Sequence, residues 1–448
     1  MRVLSKAVLA TLGLSLATGL QATPWVKTDD QFLQQSIQLL ANAGHINIPV
    51  NTWPLMWQPI MEELQLINTQ SLTQAELFAY LRVQSAASFA QRTTIKTASL
   101  QASSDPLAQA GFGQQYRDKA SATLGLEVKG ENWTSGIVKN LRHDSYDANS
   151  QSENQTNWDG SYGAYTAGNW VLLAAVHQQW WGPAIHSSFN FNNQQRPAKS
   201  LQLSRLNPKV PLHESLSWLG PVHLNVQYGE FSGTAPTRHA TYAAARLTLK
   251  PIRELEVGVN TKQLKPKLAE QLTTEPYSNL LPQDDITTLG LDLRYHLSSQ
   301  TAVYAELSSQ RSDEQSNGWL VGSQYHLGNQ QVLVRLFAEY QHIPEDYSQW
   351  LFIKPGSNKA PVKNQWVAGA QISTARGQAG YISFGNSTSQ QTTNAQPEWL
   401  TDAATLQAGY QHPVFGGLVS VDYQLQRGKQ NTETVFEHAA GLKIEWRW

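Results

Sequence analysis

Apolar residues recur along this chain with two different periods. Up to about residue 92 they recur at helical spacing, and from about residue 93 they alternate with polar residues. Val222, Leu224, Val226 and Tyr228 alternate with His223, Asn225, Gln227 and Gly229. Leu289, Leu291, Leu293, Tyr295 and Leu297 alternate with Gly290, Asp292, Arg294 and His296. Val419, Val421, Tyr423 and Leu425 repeat the pattern, and the chain ends on Ala440, Leu442, Ile444, Trp446 and Trp448 set against Gly441, Lys443, Glu445 and Arg447. Such alternation makes a strand with one apolar and one polar face. A soluble sandwich shows it over strands of about 5–6 residues. Many segments here reach about 10, the length a tilted strand needs to cross a bilayer. Aromatic residues gather towards the strand ends, as in interfacial girdles. The pattern predicts a mainly β protein, a transmembrane antiparallel β-barrel over residues 93–448.

Connection lengths give a strand count. Segments 105–118, 143–157, 178–197, 232–239, 262–285, 311–317, 343–364, 387–401 and 428–435 are long or polar, as outer loops are. Segments 130–132, 166–169, 206–219, 250–253, 298–300, 328–330, 374–378 and 411–417 are mostly short, as periplasmic turns are. Nine outer and eight inner connections join about 18 strands, with 16 and 20 the neighbouring even counts. One strand, Trp170 to Val176, is apolar on both faces and needs an apolar cover on its lumen side. The adjacent 178–197 loop is the candidate, and it is predicted to fold inward and partly plug the lumen. The plainer alternative is a local packing exception beneath a surface loop.

Residues 23–92 read as a small helical module. Thr28 is placed to cap a first helix with Asp29 and Asp30 in its first turn, and Phe32, Leu33, Ile37, Leu39 and Leu40 follow before Gly44 stops it. A second helix is expected over Trp53–Ile67, and Thr73 with Glu76 forms a capping box before Leu77, Phe78, Leu81 and Phe89. The module is too small for its own core and is expected to dock at the periplasmic end of the barrel. Before it, Arg2, Lys6 and the apolar run Ala7–Leu20 make a signal peptide over 1–22, cleaved after Ala22 or after Gly19. The competing reading is an uncleaved anchor helix. Export to a bacterial outer membrane follows from the first reading.

Composition narrows the function. Lys+Arg number 33 against 34 Asp+Glu, a balance that argues against nucleic-acid binding. The absence of Cys removes thiol catalysis, Cys-ligated zinc and disulfides. Mean hydropathy is −0.41 and no second long apolar run exists, which excludes a bundle of membrane helices. His143-Asp144, His177 and His186 lack the spacing of a nucleophilic triad, and Asp284-Asp285 has no recognisable cation-ligand pattern. No catalytic residue, metal or cofactor is predicted. Sugar recognition needs flat aromatic faces and planar amide or guanidinium groups. The 178–197 loop offers Trp180, Trp181, Asn190, Asn192, Asn193 and Arg196, and the 343–364 loop adds Tyr347, Trp350 and Lys354. The alternative for the tryptophans is a packing anchor, the favoured reading for at least one of them, and for the second group interface aromatics. Lys262, Lys265 and Lys267 suit an acidic glycan or, the favoured reading, lipopolysaccharide phosphates at the outer rim.

Several blocks resemble the Wzi capsule-assembly family. Asp30-Gln31-Phe32, the run from Ile37 to Ile46, and Pro49 to Leu55 resemble its N-terminal region. Trp180-Trp181-Gly182-Pro183, Arg196-Pro197 through Ser204-Arg205, and Leu216 to Pro221 resemble its central blocks, followed by Arg246-Leu247, Pro251 and Leu255 to Gly258. The match weakens beyond about residue 300, and Ala184-Ile185-His186 replaces a Gly-rich run. The resemblance implies an 18-stranded outer-membrane barrel that binds surface polysaccharide, helps assemble or anchor capsule, and is not an enzyme. Its implied partners are polysaccharide, outer-membrane lipid and lipopolysaccharide, with the capsule-export machinery a further candidate, no nucleic acid, and a monomeric state. A passive porin or sugar channel is the alternative, and an outer-membrane hydrolase of lipid or glycan the third.

Overall fold

The computed structural model describes residues 25–105, 111–113, 118–145, 153–193, 196–231, 240–265, 285–311, 315–345, 347, 362–389, 400–430 and 433–448. The signal-peptide reading over 1–22 therefore lies outside the described residues.

Strands from Thr94–Ser103 to Glu433–Arg447 close into one antiparallel barrel, with Arg447 opposite Thr97 and Gly441 opposite Ser103 at the closing seam. Glu153–Asn157 and Tyr162–Ala167 both pair with Trp133–Ser145, so they are two halves of one strand broken at 158–161. Counted so, the barrel has 18 strands, the number read from the connections. No helix among the described residues is long and apolar enough to cross a membrane.

The two faces are inverted relative to a soluble protein. Along Ile286–His296, Leu289, Leu291, Leu293 and Tyr295 are exposed on the outside, while Thr288, Asp292, Arg294 and His296 are buried within. Outward apolar side chains match hydrocarbon, and inward polar ones fill the lumen. Trp133, Tyr165, Tyr325, Tyr410 and Trp448 are exposed near the inner ends of their strands, at the height of an interfacial girdle. Lys139 departs from the apolar rule: it lies between Ile137 and Leu141 on the outer face, with its Nζ 4.2 Å from the Trp158 ring. An aromatic face lowers the cost of a cation there.

Three α-helices precede the first barrel strand among the described residues: Gln31–Asn42, Trp57–Leu66 and Gln74–Ala90. The first is capped by Asp30, whose Oδ1 accepts from the N–H groups of Phe32 and Leu33 at 2.9 Å each, two residues later than Thr28. The second starts at Trp57 because Thr52–Trp53 and Leu55–Met56 are spent on short strands. The Thr73–Glu76 capping box forms as expected. At the other end of that helix, Lys129 of the barrel wall donates to the carbonyls of Ala90 and Arg92, a cation placed against the negative end of the helix.

The first helix and the segment that follows it sit in the lumen, whereas Trp57–Leu66 and Gln74–Ala90 keep exposed faces, with Leu66 and Leu81 both exposed. Every residue of Gln31–Asn42 beyond Gln31 is buried, the amide face included. That face meets arginines of the wall: Arg335 donates to Gln38 at 2.8 Å and Gln34 at 3.1 Å, and Arg294 donates to Asn42 at 2.9 Å. Neutral amides satisfy buried guanidinium groups without adding charge. Glu256 closes the other side, accepting from the N–H groups of Val50 (3.0 and 2.9 Å) and Asn51 (2.8 Å). The apolar lumen face of Trp170–Val176 is covered, but by a different element from the one expected. Val171, Leu173 and Ala175 pack with Trp25 and Met56 of the module rather than with the 178–197 loop. Trp25 reaches this height because Trp25–Val26 pairs with Leu55–Met56 inside the barrel.

Candidate glycan-binding site

The 178–197 loop leaves the wall after Val176 and returns at Lys199, and its described residues lie inside the barrel. Trp180 and Trp181 form a short antiparallel pairing with Trp53 and Thr52 of the module, and Gly182 donates to the Asn51 carbonyl at 2.9 Å. Gly182 has φ +142°, and a Cβ there would lie 2.1 Å from the Glu306 carboxylate. Only glycine passes so close to that group. The wall then grips the loop backbone through carboxylates. Glu339 accepts from the N–H groups of Ile185 at 2.6 Å and His186 at 3.0 Å, and Glu306 accepts from that of Phe189 at 3.3 Å. Lys262 donates to the Asn190 carbonyl at 2.9 Å. Carboxylates suit donor-rich backbone and ammonium suits a carbonyl, so the polar lumen face works as a set of clamps.

The candidate sugar contacts take distinct positions. Trp180 is fully buried; its indole donates to the Ala184 carbonyl at 2.9 Å, and its ring meets the Phe112 edge, which in turn meets Trp53. Trp181 is 2% exposed, edge-on to Phe191 at 4.6 Å with Arg246 5.9 Å from its ring. Tyr347 is buried, its hydroxyl 2.8 Å from that of Ser308 and its ring edge-on to Phe189 at 5.7 Å. Burial pushes its phenol pKa up, with the Ser308 contact partly offsetting this. Asn193 donates to the Gly111 carbonyl at 3.1 Å. Trp350 and Lys354 lie outside the described residues.

Asn190, Asn192 and Arg196 do come together. With His177, Gln178 and Phe231 they line a cavity of about 20 Å³, which has room for one water-sized group. Both ring nitrogens of His177 and the Asn190 Oδ1 are buried without a hydrogen-bond partner among the described residues. Arg196 lies 3.7 Å from Asp118, which also holds Arg142 at 2.8 Å, and Arg142 reaches Asp159 at 3.2 Å. Arg196 is thus tied through Asp118 and Arg142 to the broken strand.

The lysines divide. Lys262 is not at the rim: it shares the inward face with Glu256 and Asn260 and is 1% exposed. Lys265 is exposed, 3.9 Å from Asp285, and Lys267 lies outside the described residues. Glu256, Glu306, Glu339, Arg294 and Arg335 were not singled out from the sequence. Their signal was parity, since each falls on the polar side of an alternating strand. Among the described residues no group of three His, Asp or Glu is placed to hold a metal.

Comparisons with known proteins agree with this architecture. The family model for capsule assembly protein Wzi matches residues 90–264. An uncharacterized 55.8 kDa protein from the cps region of Klebsiella pneumoniae is 24% identical over 254 residues, 56% of this chain and 49% of that protein. The chain thus spans about half the length of that curated relative in the matched region. A solved structure of Escherichia coli Wzi, described as an outer membrane protein involved in group 1 capsule assembly and a carbohydrate-binding β-barrel, superposes with a TM-score of 0.76. Identity is 19%, over 94% of this chain and 98% of that one, so the likeness speaks to the fold.

Proposed function

We propose, from the match of the Wzi capsule-assembly model over residues 90–264 and from the filled barrel described above, that the protein is an outer-membrane polysaccharide-binding barrel that helps assemble or anchor capsular polysaccharide at the cell surface. It acts by binding and not by catalysis. The observation that carries the reading is the filled lumen: the N-terminal module and the inward loop are hydrogen-bonded to the wall and to each other. A barrel so occupied offers its outer end as a surface and not a passage. Polysaccharide and outer-membrane lipid are its partners.

Within the site, Asn190, Asn192 and Arg196 are the polar groups proposed to meet sugar hydroxyls or carboxylates, after a shift of the loop that enlarges their cavity. Trp180, Trp181 and Asn193 support that loop from beneath, and Tyr347 supports it through Phe189. The reading is tested by titrating the cell's own surface polysaccharide into the barrel reconstituted in nanodiscs. Saturable binding that weakens in Arg196→Ala and Asn192→Ala, with the barrel still folded, is expected; no saturable binding would overturn it. The passive channel is separated by planar-bilayer recording, where a steady open conductance of the unmodified protein would favour it.

A further inference from the structure

The wall is low on one side. Trp170–Val176 and Lys199–Arg205 have 7 residues each, against 11 to 15 in every barrel strand from Thr241 onward. A crossing strand needs about 9–11 residues, so this part of the wall ends about 5–10 Å short. The top rung there is Val176 opposite Lys199, with Lys199 opposite Glu230 on the next strand. His177, Ala198 and Phe231 follow directly on that rung, and all three line the cavity shared with Asn190, Asn192 and Arg196. The candidate sugar-contacting groups therefore stand at the edge of the low wall.

The neighbouring strand is the broken one. Its upper half, Glu153–Asn157, pairs with Trp133–Ser145 on one side, and no described strand pairs with its other side. The lipid-facing surface leading to that free side is grooved, with a volume of about 550 Å³. Two cross-strand rows build it: Ile444, Leu100, Ala122, Leu141 and Thr156 in one, Leu442, Ala102, Ala120 and His143 in the other. Alanines in the middle of each row, between larger residues, make the depression. Leu100 and Ala102, Ala120 and Ala122, and Leu141 and His143 lie in the outer halves of their strands, while Leu442 and Ile444 lie in the inner half of Glu433–Arg447; the groove thus runs up into the outer part of the lipid-facing belt.

We infer that the barrel receives its glycan laterally, as a lipid-tethered saccharide of the outer leaflet: one acyl chain lies in the alanine groove, and the attached sugar crosses the low wall to the loop. A groove running up into the outer part of the lipid-facing belt meets acyl chains before any other ligand, and it ends beside the side of the barrel where the wall is low. Tethering replaces a three-dimensional search with a local concentration in the millimolar range. The inference rests on the glycan-binding reading above and adds the form in which the glycan arrives.

The test uses the full chain in nanodiscs with three probes: smooth lipopolysaccharide, lipid A alone, and the polysaccharide freed of lipid by mild acid. The lipid-linked glycan is expected to bind at least about ten-fold more tightly than the freed one. Ala122→Trp, which fills the groove, is expected to remove that advantage while leaving affinity for the freed glycan unchanged. Heat-modifiable gel mobility reports whether the variant folds, and Ala120→Leu is the smaller replacement in the adjoining row should it fail. Equal affinities in the unmodified protein would overturn the lateral route, as would an advantage that survives a filled groove. Lipid A binding as tightly as the lipid-linked glycan would reduce the groove to a lipid contact and also overturn it. Failure of the freed glycan to bind at all would instead count against the glycan-binding reading.

Discussion

Replacing Glu256 with alanine would cut a buried carboxylate clasp between module and wall. Its carboxylate is fully buried and accepts the backbone N–H groups of both Val50 and Asn51 at 2.8–3.0 Å. Removal leaves two buried donors without partners, each costing about 1–3 kcal/mol. The total of about 2–6 kcal/mol corresponds to a rise of roughly thirty-fold to twenty-five-thousand-fold in the undocked population of this segment. Glu256→Gln keeps one acceptor oxygen and is expected to recover most of the loss. Amide hydrogen exchange at Val50 and Asn51 reads the effect directly, and planar-bilayer recording reads its consequence as intermittent openings absent from the parent. Unchanged protection at both amides, with Glu256→Ala correctly folded, would refute the assignment of Glu256 as a clasp.

Other perturbations follow from the same contacts. Trp180→Ala removes a fully buried indole and is expected to cost about 3–5 kcal/mol, lowering the temperature at which heat-modifiable mobility is lost. An unchanged transition would show that the ring is not packed as described. Thr73→Ala removes one half of the capping box and is expected to cost about 1 kcal/mol, visible as faster exchange in the first turn of Gln74–Ala90 with barrel stability intact. Glu339→Ala frees the N–H groups of Ile185 and His186 and is expected to speed proteolytic nicking within the 178–197 loop, whereas nicking at the parent rate would argue against the clamp.

Much of the barrel is legible in the sequence because the physics of a membrane wall is written at every second residue. Polar residues between Leu289 and Leu297 have to face inward, and the length of each connection separates outer from inner ends. The same parity places Lys262 in the lumen, since it shares an inward face with Glu256 and Asn260; reading it with Lys265 and Lys267 as a surface cluster ignored the alternation. The interior filling was far less legible. A helix face of Gln34, Gln38 and Asn42 ordinarily faces water, and nothing local reveals that Arg294 and Arg335, about 250–300 residues away, are its partners. Trp25 as the cover for Trp170–Val176 was hidden likewise, because a two-residue strand inside a lumen has no periodicity. The loop tryptophans looked like sugar platforms because indole suits both roles, and burial in a packed core is a tertiary property.

The central claim is that this barrel holds polysaccharide at the cell surface. Deleting the gene and measuring how surface polysaccharide divides between cells and medium tests it most directly. Polysaccharide released into the medium at unchanged total synthesis is the predicted result. An unaltered distribution between cells and medium would contradict the claim.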